Sequence, residues 1–393
     1  IGGASVFSRA YGRNDKEAMD ATVNTAVRMG IILALITSAL GLIFLDELLN
    51  FFGATPDNLG FAKDYLSIIL FGVVFKTTSM ILNNFTRAEG RANTAMIAMV
   101  LGTGLNIILD PIFIFDWGLG LGVKGAAIAT VISQFASFGF ITYQAFSKNS
   151  VLNIKLKRFF EINIVALKDI VKIGLPTFVR NAVGAFLTIF ILKLIDYYTA
   201  DVDQSIYIAM YGVINRMLMF IYMPGFGLVQ GLAPIAGYNY GAKNWDRLVE
   251  VIKYALKLLT VYFIGGFLFI QLGAGLIFDV FSESNDVFFI ETGSMIFRTI
   301  GAGLIFIAFQ IIAGSVYQSF GYAKRAMFIS LSRQFIFFIP LAVILTYFYD
   351  LAGLWYTFAI ADIISGIIGI YMIRHELKDL RGRAKAQKEL LTS

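Results

Sequence analysis

The chain has 393 residues, of which 58% are hydrophobic and only 15% are charged. Soluble domains carry about 25% charged residues, so this composition is typical of a membrane protein. The absence of cysteine excludes disulfides, cysteine–metal sites and thiol nucleophiles. The single histidine, His375, lies in a charged tail, where we expect a solvated side chain. These features argue against histidine-based catalysis and histidine metal clusters.

Ten apolar stretches are long enough to cross a bilayer, which takes about 20 residues each as a helix. None of them alternates with a period of two, so helices are favoured over a barrel. In chain order the stretches are Met29–Leu45, Tyr65–Leu82, Ala95–Phe115, Gly125–Phe146, Gly174–Ile195, Ile206–Val229, Tyr254–Phe278, Thr292–Val316, Ala326–Tyr347 and Leu351–Ile373. The sequence therefore predicts an all-α integral membrane protein.

The loops on the two sides of these stretches differ in their basic residues. One side, which includes the tail after Ile373, carries most of the Lys and Arg residues, whereas the other side has only Lys63 and Lys124. Cytoplasmic loops are enriched in Lys and Arg, so the basic side is predicted to be cytoplasmic. We expect a multi-pass protein of the inner (plasma) membrane with a cytoplasmic C-terminus. The net charge of +6 follows from this topology and requires no nucleic-acid partner.

The sequence also contains an internal repeat with an offset of about 229 positions. Gly2–Gly12 aligns with Gly231–Gly241, and Gly125 aligns with Gly353. The two copies run the same way through the membrane, which predicts two pseudo-symmetric six-helix lobes related by an axis along the membrane normal. Twelve spans are expected in the intact protein, with the first span and most of the second lying before Ile1.

These patterns divide the chain into four segments. Residues 1–147 are predicted to form the incomplete N-terminal lobe, and residues 173–373 the C-terminal lobe. Residues 148–172 form a cytoplasmic connector in which apolar and basic residues are interleaved between Val151 and Phe160. That pattern favours an amphipathic segment on the cytoplasmic leaflet, and a solvated basic linker is the alternative. Residues 374–393 form a basic cytoplasmic tail.

The most informative polar residues within a predicted span are Asn106 and Asp110. They are one helical turn apart on one face of a helix, directly before Pro111. An ionisable group in the hydrocarbon costs about 2.5–3.5 kcal/mol on insertion scales, so it is a functional candidate by default. Pro111 is expected to break the helix and free carbonyl groups beside the carboxylate. This set suits H⁺ or Na⁺, and an Asp110 that caps an interfacial loop is the alternative interpretation.

Other polar residues in the predicted spans are open to two interpretations. Asp362 and Arg333, on the last two spans, are expected to form a structural ion pair, with a role in coupling as the alternative. Met and aromatic side chains suit an adaptable pocket, although ordinary packing or lipid contact explains most of them equally well. The candidate residues for a substrate cavity are Arg180, Asn181, Arg216, Tyr222 and Met223.

Taken in order, several motifs resemble the MATE (multidrug and toxic compound extrusion) family, in its bacterial branch. The resemblance covers the whole chain and rests on Thr86–Gly90, Asn106–Pro111, Gly122–Thr130, Gly174–Pro176, Pro234–Lys243 and Gln318–Gly321. It implies an antiporter that exports amphiphilic, often cationic compounds in exchange for H⁺ or Na⁺, without another cofactor. It also implies an ion-coupling site in which Thr130 joins Asn106, Asp110 and an Asp on the first span.

The chain departs from another branch of this family, which carries acidic residues on the seventh and tenth spans. The corresponding stretches here, Arg180–Gly184 and Ile307–Gln310, contain no carboxylate. The main rival function is a lipid-linked oligosaccharide flippase of the same superfamily, which would need a strongly cationic cavity for pyrophosphate. An intramembrane enzyme would need a catalytic constellation that this sequence lacks. With no nucleotide-binding loop in the sequence, we predict ion-driven transport by a monomer in the lipid bilayer.

Overall fold

The computed structural model describes residues 1–155, 163–199, 204–282 and 286–392. Within these ranges all regular structure is helical, which confirms the predicted all-α fold. The helical backbone satisfies its own hydrogen bonds, as a chain in hydrocarbon must. The chain forms two compact units, residues 3–171 and residues 172–393, and each unit has its own apolar core.

In the part of the chain that the structure describes, the N-terminal unit is a bundle of six helices. Its helices are α1 (Gly2–Gly12), α2 (Lys16–Ile43), α3 (Leu45–Phe51), α4 (Leu59–Ala88), α5 (Ala92–Ile114) and α6 (Gly122–Ala145). α4 packs against α2 and α6, and α6 packs against α5. The apolar core at one end of this unit includes Phe7, Met19, Phe85 and Ile141.

The C-terminal unit is organised around α11. Its elements are α7 (Ile164–Tyr198), which begins before the unit boundary, α8 (Gln204–Gly241), α9 (Trp245–Phe281), α10 (Val287–Gly301), α11 (Leu304–Phe320), α12 (Ala323–Leu331), a π-helix (Ser332–Phe337) and α13 (Phe338–Thr392). α11 packs against α8, α9, α12 and α13. It therefore supplies many buried side chains to the core, among them Ile312, Val316 and Tyr317.

The helices account for every predicted span. Eight of the described helices are long and apolar enough to cross a bilayer, and the pair α10–α11, bent by 42°, forms one more span. The longest helical run, Ala323–Leu390, would extend about 100 Å if it were straight. It contains the last two predicted stretches, so one run supplies two spans.

A tight reversal separates these last two spans. Tyr349 and Asp350 leave the helical backbone conformation, and Asp350 has a positive φ of 49°. A Cβ added at Gly353 would lie 2.1 Å from the carbonyl oxygen of Leu345. In an unbroken helix these two residues would be about 12 Å apart along the axis. The chain therefore turns back on itself, and we call residues 323–373 the C-terminal hairpin.

Each unit shows the same local structures at the positions that the internal repeat aligns. Asn14 and Lys243 both adopt the left-handed conformation, with φ of 56° and 55°. The next residues, Asp15 and Asn244, cap α2 and α9 by accepting a hydrogen bond from the backbone N–H three residues later. These matched geometries support the duplication that the sequence indicates.

Gly125 and Gly353, which the repeat aligns, each lie at a turn between two helices and make the same close contact. A Cβ added at Gly125 would lie 2.2 Å from the carbonyl oxygen of Phe113, which resembles the approach of Gly353 to Leu345. Only a residue without a Cβ permits this contact between the end of one helix and the start of the next. The α5–α6 hairpin and the C-terminal hairpin are therefore closed in the same way.

The first part of the predicted connector lies against the N-terminal unit. Asn24 on α2 donates a hydrogen bond to the carbonyl oxygen of Asn153 (2.7 Å) and accepts one from the backbone N–H of Lys155 (2.7 Å). Glu89, just after α4, accepts a hydrogen bond from the backbone N–H of Val151 (2.9 Å). Side chains of this unit thus hold the extended segment that ends at Lys155. The rest of the predicted amphipathic pattern falls on residues 156–162, outside the described ranges.

Candidate functional site

The two residues singled out on α5 contact each other directly. The Nδ2 group of Asn106 donates a hydrogen bond to Oδ1 of Asp110 at 2.9 Å. The spacing of four residues places both side chains on one face of the helix, so the contact follows from the sequence. Both residues are half-buried within the N-terminal unit. A carboxylate and an amide thus form one polar group in the otherwise apolar second half of α5.

Thr130 on α6 completes this polar group. Its Oγ1 lies 3.5 Å from Nδ2 of Asn106, at the limit of a hydrogen bond. α6 can approach α5 this closely because small residues meet between the two helices: a Cβ added at Gly102 would lie 3.0 Å from Cβ of Ser137. The structure therefore brings together the three predicted residues, which we call the Asp110 cluster.

The expectation that the helix breaks at Pro111 was wrong. α5 continues through Pro111 to Ile114, and the backbone N–H of Phe115 closes the last turn on the carbonyl of Pro111 at 3.3 Å. Unpaired backbone groups are costly in hydrocarbon, so the helix gives up one hydrogen bond and keeps the following turn. Because proline has no N–H, the carbonyl of Ile107 loses its helical donor. That carbonyl lies in the same turn as the Asp110 cluster.

In the described part of the chain, the hydrogen-bond partner of Asp110 is a neutral amide. Among the described residues, the ion pairs do not include Asp110. Nor do the described residues contain a cluster of three His, Cys, Asp or Glu side chains that could hold a metal ion. One carboxylate with neutral amide and hydroxyl groups suits a monovalent cation better than a divalent one. The cluster has the donor set for H⁺ or Na⁺.

The C-terminal unit contains a buried carboxylate, Asp362, whose partner is charged. Asp362 is 3% exposed, and its Oδ1 accepts a hydrogen bond from Nε of Arg333. Nη2 of Arg333 also donates to the hydroxyl of Tyr222 (3.2 Å), and the guanidinium lies 5.5 Å from the centre of the Tyr222 ring. The predicted ion pair between Arg333 and Asp362 is confirmed. We call these three residues the Arg333 cluster.

Comparison with known proteins assigns the family. The sequence model of the MatE family matches residues 1–112 and 181–344. This chain belongs to the MatE family. The identification agrees with the resemblance seen in the motifs, and it places the Asp110 cluster in a transport protein.

Relatives and solved structures of this family extend along most of the chain. Multidrug export protein MepA of Staphylococcus aureus (strain MSSA476) is 28% identical over 384 residues, which cover 96% of this chain and 82% of that protein. A ligand complex of the MATE multidrug transporter DinF-BH is 34% identical, with a TM-score of 0.85, and the match covers 95% of this chain and 82% of that one. An outward-facing multidrug resistance MATE family transporter of the MOP superfamily has a TM-score of 0.87 at 27% identity, with 97% and 84% covered.

The residues predicted for the substrate cavity of this MATE protein lie on α7 and α8 of the C-terminal unit. Arg216 and Met223 are exposed and share one face of α8, two turns apart. Asn181 on α7 is exposed, whereas its neighbour Arg180 is half-buried. Tyr222 instead belongs to the Arg333 cluster. The role of these five residues in substrate binding stays a prediction.

Sequence reasoning missed several polar residues of this MATE protein. Nothing in the local sequence of Tyr222 indicates its contact with Arg333, because 111 positions separate them in the chain. The hydrogen bonds that Asn24 and Glu89 form with the connector backbone were missed as well. Glu89, which follows directly on α4, needs partners because it is only 9% exposed, and the sequence alone does not show that burial.

Proposed function

We propose that this protein exports amphiphilic drugs or toxic compounds in exchange for H⁺ or Na⁺, with Asp110, Asn106 and Thr130 as the ion-coupling site. Membership of the MatE family and the names of its relatives, a multidrug export protein and a multidrug transporter, support the transport activity. The observation that carries the site is the carboxylate of Asp110 on an apolar helix long enough to span a membrane, where its hydrogen-bond partner among the described residues, Asn106, is neutral.

The coupling of cation entry to substrate export follows from the free-energy cost of an ionised Asp110 in the membrane. An ionised Asp110 inside the membrane is unfavourable, and a cation that arrives from outside removes the cost. A proton would bind Asp110 itself. A sodium ion would bind the carboxylate together with oxygens of Asn106 and Thr130 and the carbonyl that Pro111 leaves without a donor.

Exchange also requires two states that bind cation and substrate unequally. A ligand shifts a conformational equilibrium only by its difference in affinity for the two states. If the neutral Asp110 cluster favours one state and the bound substrate the other, the inward flow of cations drives the export of substrate. The coupling is reciprocal, so substrate must also lower the affinity for the cation.

The membrane orientation is part of the same proposal. The protein lies in the inner (plasma) membrane with its basic loops and C-terminal tail in the cytoplasm, as the distribution of Lys and Arg favours. The two basic residues on the opposite side are each paired with an acid: Lys63 with Asp46 at 2.8 Å and Lys124 with Asp64 at 3.2 Å. That side therefore presents little net positive charge.

Transport by the intact protein in proteoliposomes tests the proposal. Ethidium, a fluorescent amphiphilic cation of the proposed substrate class, serves as the probe, and a pH gradient and a Na⁺ gradient are imposed separately. We expect one of the two gradients to drive ethidium against its concentration gradient. A protein that ignores both gradients and instead flips a lipid-linked oligosaccharide would support the rival function.

The flippase is the weaker proposal because few cationic side chains are available for a pyrophosphate. Arg333 is neutralised by Asp362, so of the arginines considered above only Arg180 and Arg216 remain. Two such residues do not make a strongly cationic cavity.

A further inference from the structure

The Arg333 cluster lies in the part of the repeat that corresponds to the Asp110 cluster. The Asp110 cluster bridges the two helices of the α5–α6 hairpin, and the Arg333–Asp362 pair bridges the two helices of the C-terminal hairpin. With the repeat offset, the counterparts of Asn106 and Thr130 are Phe335 and Ala359. Arg333 and Asp362 each lie within one helical turn of these counterparts. Both hairpins thus carry one carboxylate that is buried or half-buried.

Unlike the many exposed ion pairs of this protein, the Arg333 cluster is enclosed by several elements. Tyr222 comes from α8, Arg333 from the π-helix and Asp362 from α13. The break between α10 and α11 packs directly on the Asp362 side chain, since a Cβ added at Gly303 would lie 2.5 Å from Cβ of Asp362. π-helical turns are rare and are found frequently at functional sites.

The two carboxylates differ in how their charge is balanced. Asp110 has neutral partners, so its compensating cation must come from solution. Asp362 has a cation that is covalently part of the chain, the guanidinium of Arg333. In the described structure the charged or titratable groups that face Asp362 are Arg333 and Tyr222.

We propose that the C-terminal unit contains a second site for a monovalent cation, formed by Asp362 and Tyr222, in which the side chain of Arg333 stands in place of the ion. The idea rests on the proposed function, because the Asp110 cluster is the site with which it is compared. It has two consequences. The protein exchanges cations at Asp110 and none at Asp362, and removal of Arg333 opens Asp362 to H⁺ or Na⁺.

The composition of two other stretches within spans of the C-terminal unit supports this reading of Asp362. The stretches Arg180–Gly184 and Ile307–Gln310 contain no carboxylate that could compete for a cation within the C-terminal unit. Removing Arg333 leaves one carboxylate and one hydroxyl in a buried space. A buried, unpaired carboxylate binds a proton or a cation because the charged form alone is strongly disfavoured there.

The test uses the purified intact protein with Asp110→Asn as the background, so that the first site is silent. In this background we expect no saturable cation binding. Adding Arg333→Ala should create either single-site binding of radioactive Na⁺ or a protonated carboxyl band in infrared difference spectra. The bound cation should also raise the Tm, with Na⁺ or with falling pH respectively. Binding of radioactive Na⁺ would identify the cation as Na⁺, and the protonated carboxyl band would identify it as H⁺.

Two matched variants complete the test. Adding Asp362→Asn to the Arg333→Ala protein should remove the new binding, and Arg333→Lys, which keeps a tethered cation, should show none. A folded Asp110→Asn/Arg333→Ala protein that binds no Na⁺ and shows no protonated carboxyl would overturn the proposal.

If the Arg333→Ala protein does not fold, the neutral pair Arg333→Gln/Asp362→Asn provides the test with Asp110 intact. We expect ion-coupled efflux with an unchanged number of cations per substrate. Loss of coupling at wild-type abundance would mean that Asp362 itself exchanges a cation, and the proposal would be wrong. Failure of the proposed function is seen separately, as normal coupled efflux by the single variant Asp110→Asn.

Discussion

Asn106 orients the carboxylate of Asp110 and supplies a neutral oxygen to the same cluster. We predict that Asn106→Ala weakens cation binding without abolishing coupled efflux. A hydrogen bond of this kind contributes about 0.5–1.5 kcal/mol, which corresponds to roughly 2–10-fold in affinity. The measurement is the H⁺ or Na⁺ concentration that gives half-maximal efflux. Asn84→Ala is the control, because the described hydrogen bonds of this half-buried side chain are to Met80 and Arg87 of its own helix. An unchanged half-maximal concentration in Asn106→Ala would remove Asn106 from the site.

Asp362 should matter for folding more than for turnover. Asp362→Asn leaves the half-buried Arg333 without a counter-charge, and the cost of breaking a fully buried pair, about 3–5 kcal/mol, is an upper bound for this change. We predict reduced abundance of the protein in the membrane, while efflux per molecule is largely retained. Quantitative immunoblotting combined with efflux rates separates the two effects. Normal abundance with lost efflux would instead give Asp362 a direct role in coupling.

A contact between two residues of one helix could be predicted from their spacing. Contacts between helices were harder to predict. Spacing alone indicates that Asn106 and Asp110 meet, whereas Thr130 entered through the family resemblance because its position depends on close packing of α5 and α6. The pairing of Arg333 with Asp362 was predictable because charges in hydrocarbon require partners. The contact of Tyr222 with this pair depends on the packing of α8, which no local pattern indicates.

At the scale of the elements, the α5–α6 hairpin depends on a glycine at its turn. Gly125→Ala would place a Cβ 2.2 Å from the carbonyl oxygen of Phe113, and backbone cannot move aside as a flexible side chain can. We predict a loss of stability of at least about 1–3 kcal/mol, the usual cost of overpacking. Gly139→Ala, on the same helix and with open space around its Cβ, is the control and should be neutral. Thermal unfolding in detergent measures both, and equal Tm values would contradict the close approach.

Asn24 should hold the connector through two backbone hydrogen bonds. Asn24→Ala removes both bonds and leaves backbone groups of Asn153 and Lys155 without these partners. We predict faster amide hydrogen exchange at residues 151–155 and no change at the core of α4. Because Lys155 N–H donates to this side chain, its own exchange is the most direct reporter. Unchanged exchange at Lys155 would show that other contacts fix the segment.

Apolar stretches located the spans, but the interruptions within them escaped prediction. The bend between α10 and α11 and the π-helix at Ser332–Phe337 both lie beside the Arg333 cluster. The backbone there adapts to a buried ion pair, which is a tertiary effect. At Pro111 the reverse holds, because a local preference for a break is overridden by the cost of unpaired backbone groups in hydrocarbon.

For the whole molecule, the proposed orientation can be tested cleanly because the chain contains no native cysteine. We introduce single cysteines at Asp57, in an exposed loop, and at Lys385, in the exposed tail. A membrane-impermeant maleimide added to intact cells should label Asp57→Cys and spare Lys385→Cys, and both should react after permeabilisation. The opposite pattern would invert the topology and place the basic loops outside.

The central claim is that the carboxylate of Asp110 couples cation entry to export, and the most direct measurement is gradient-driven efflux of ethidium by Asp110→Asn in proteoliposomes. Asparagine keeps the shape and a hydrogen-bonding oxygen but cannot carry the charge. We predict that coupled efflux is abolished while abundance and folding equal the wild type, since loss of a buried charge relieves a desolvation cost. Wild-type rates of gradient-driven efflux by Asp110→Asn at equal abundance would contradict the mechanism.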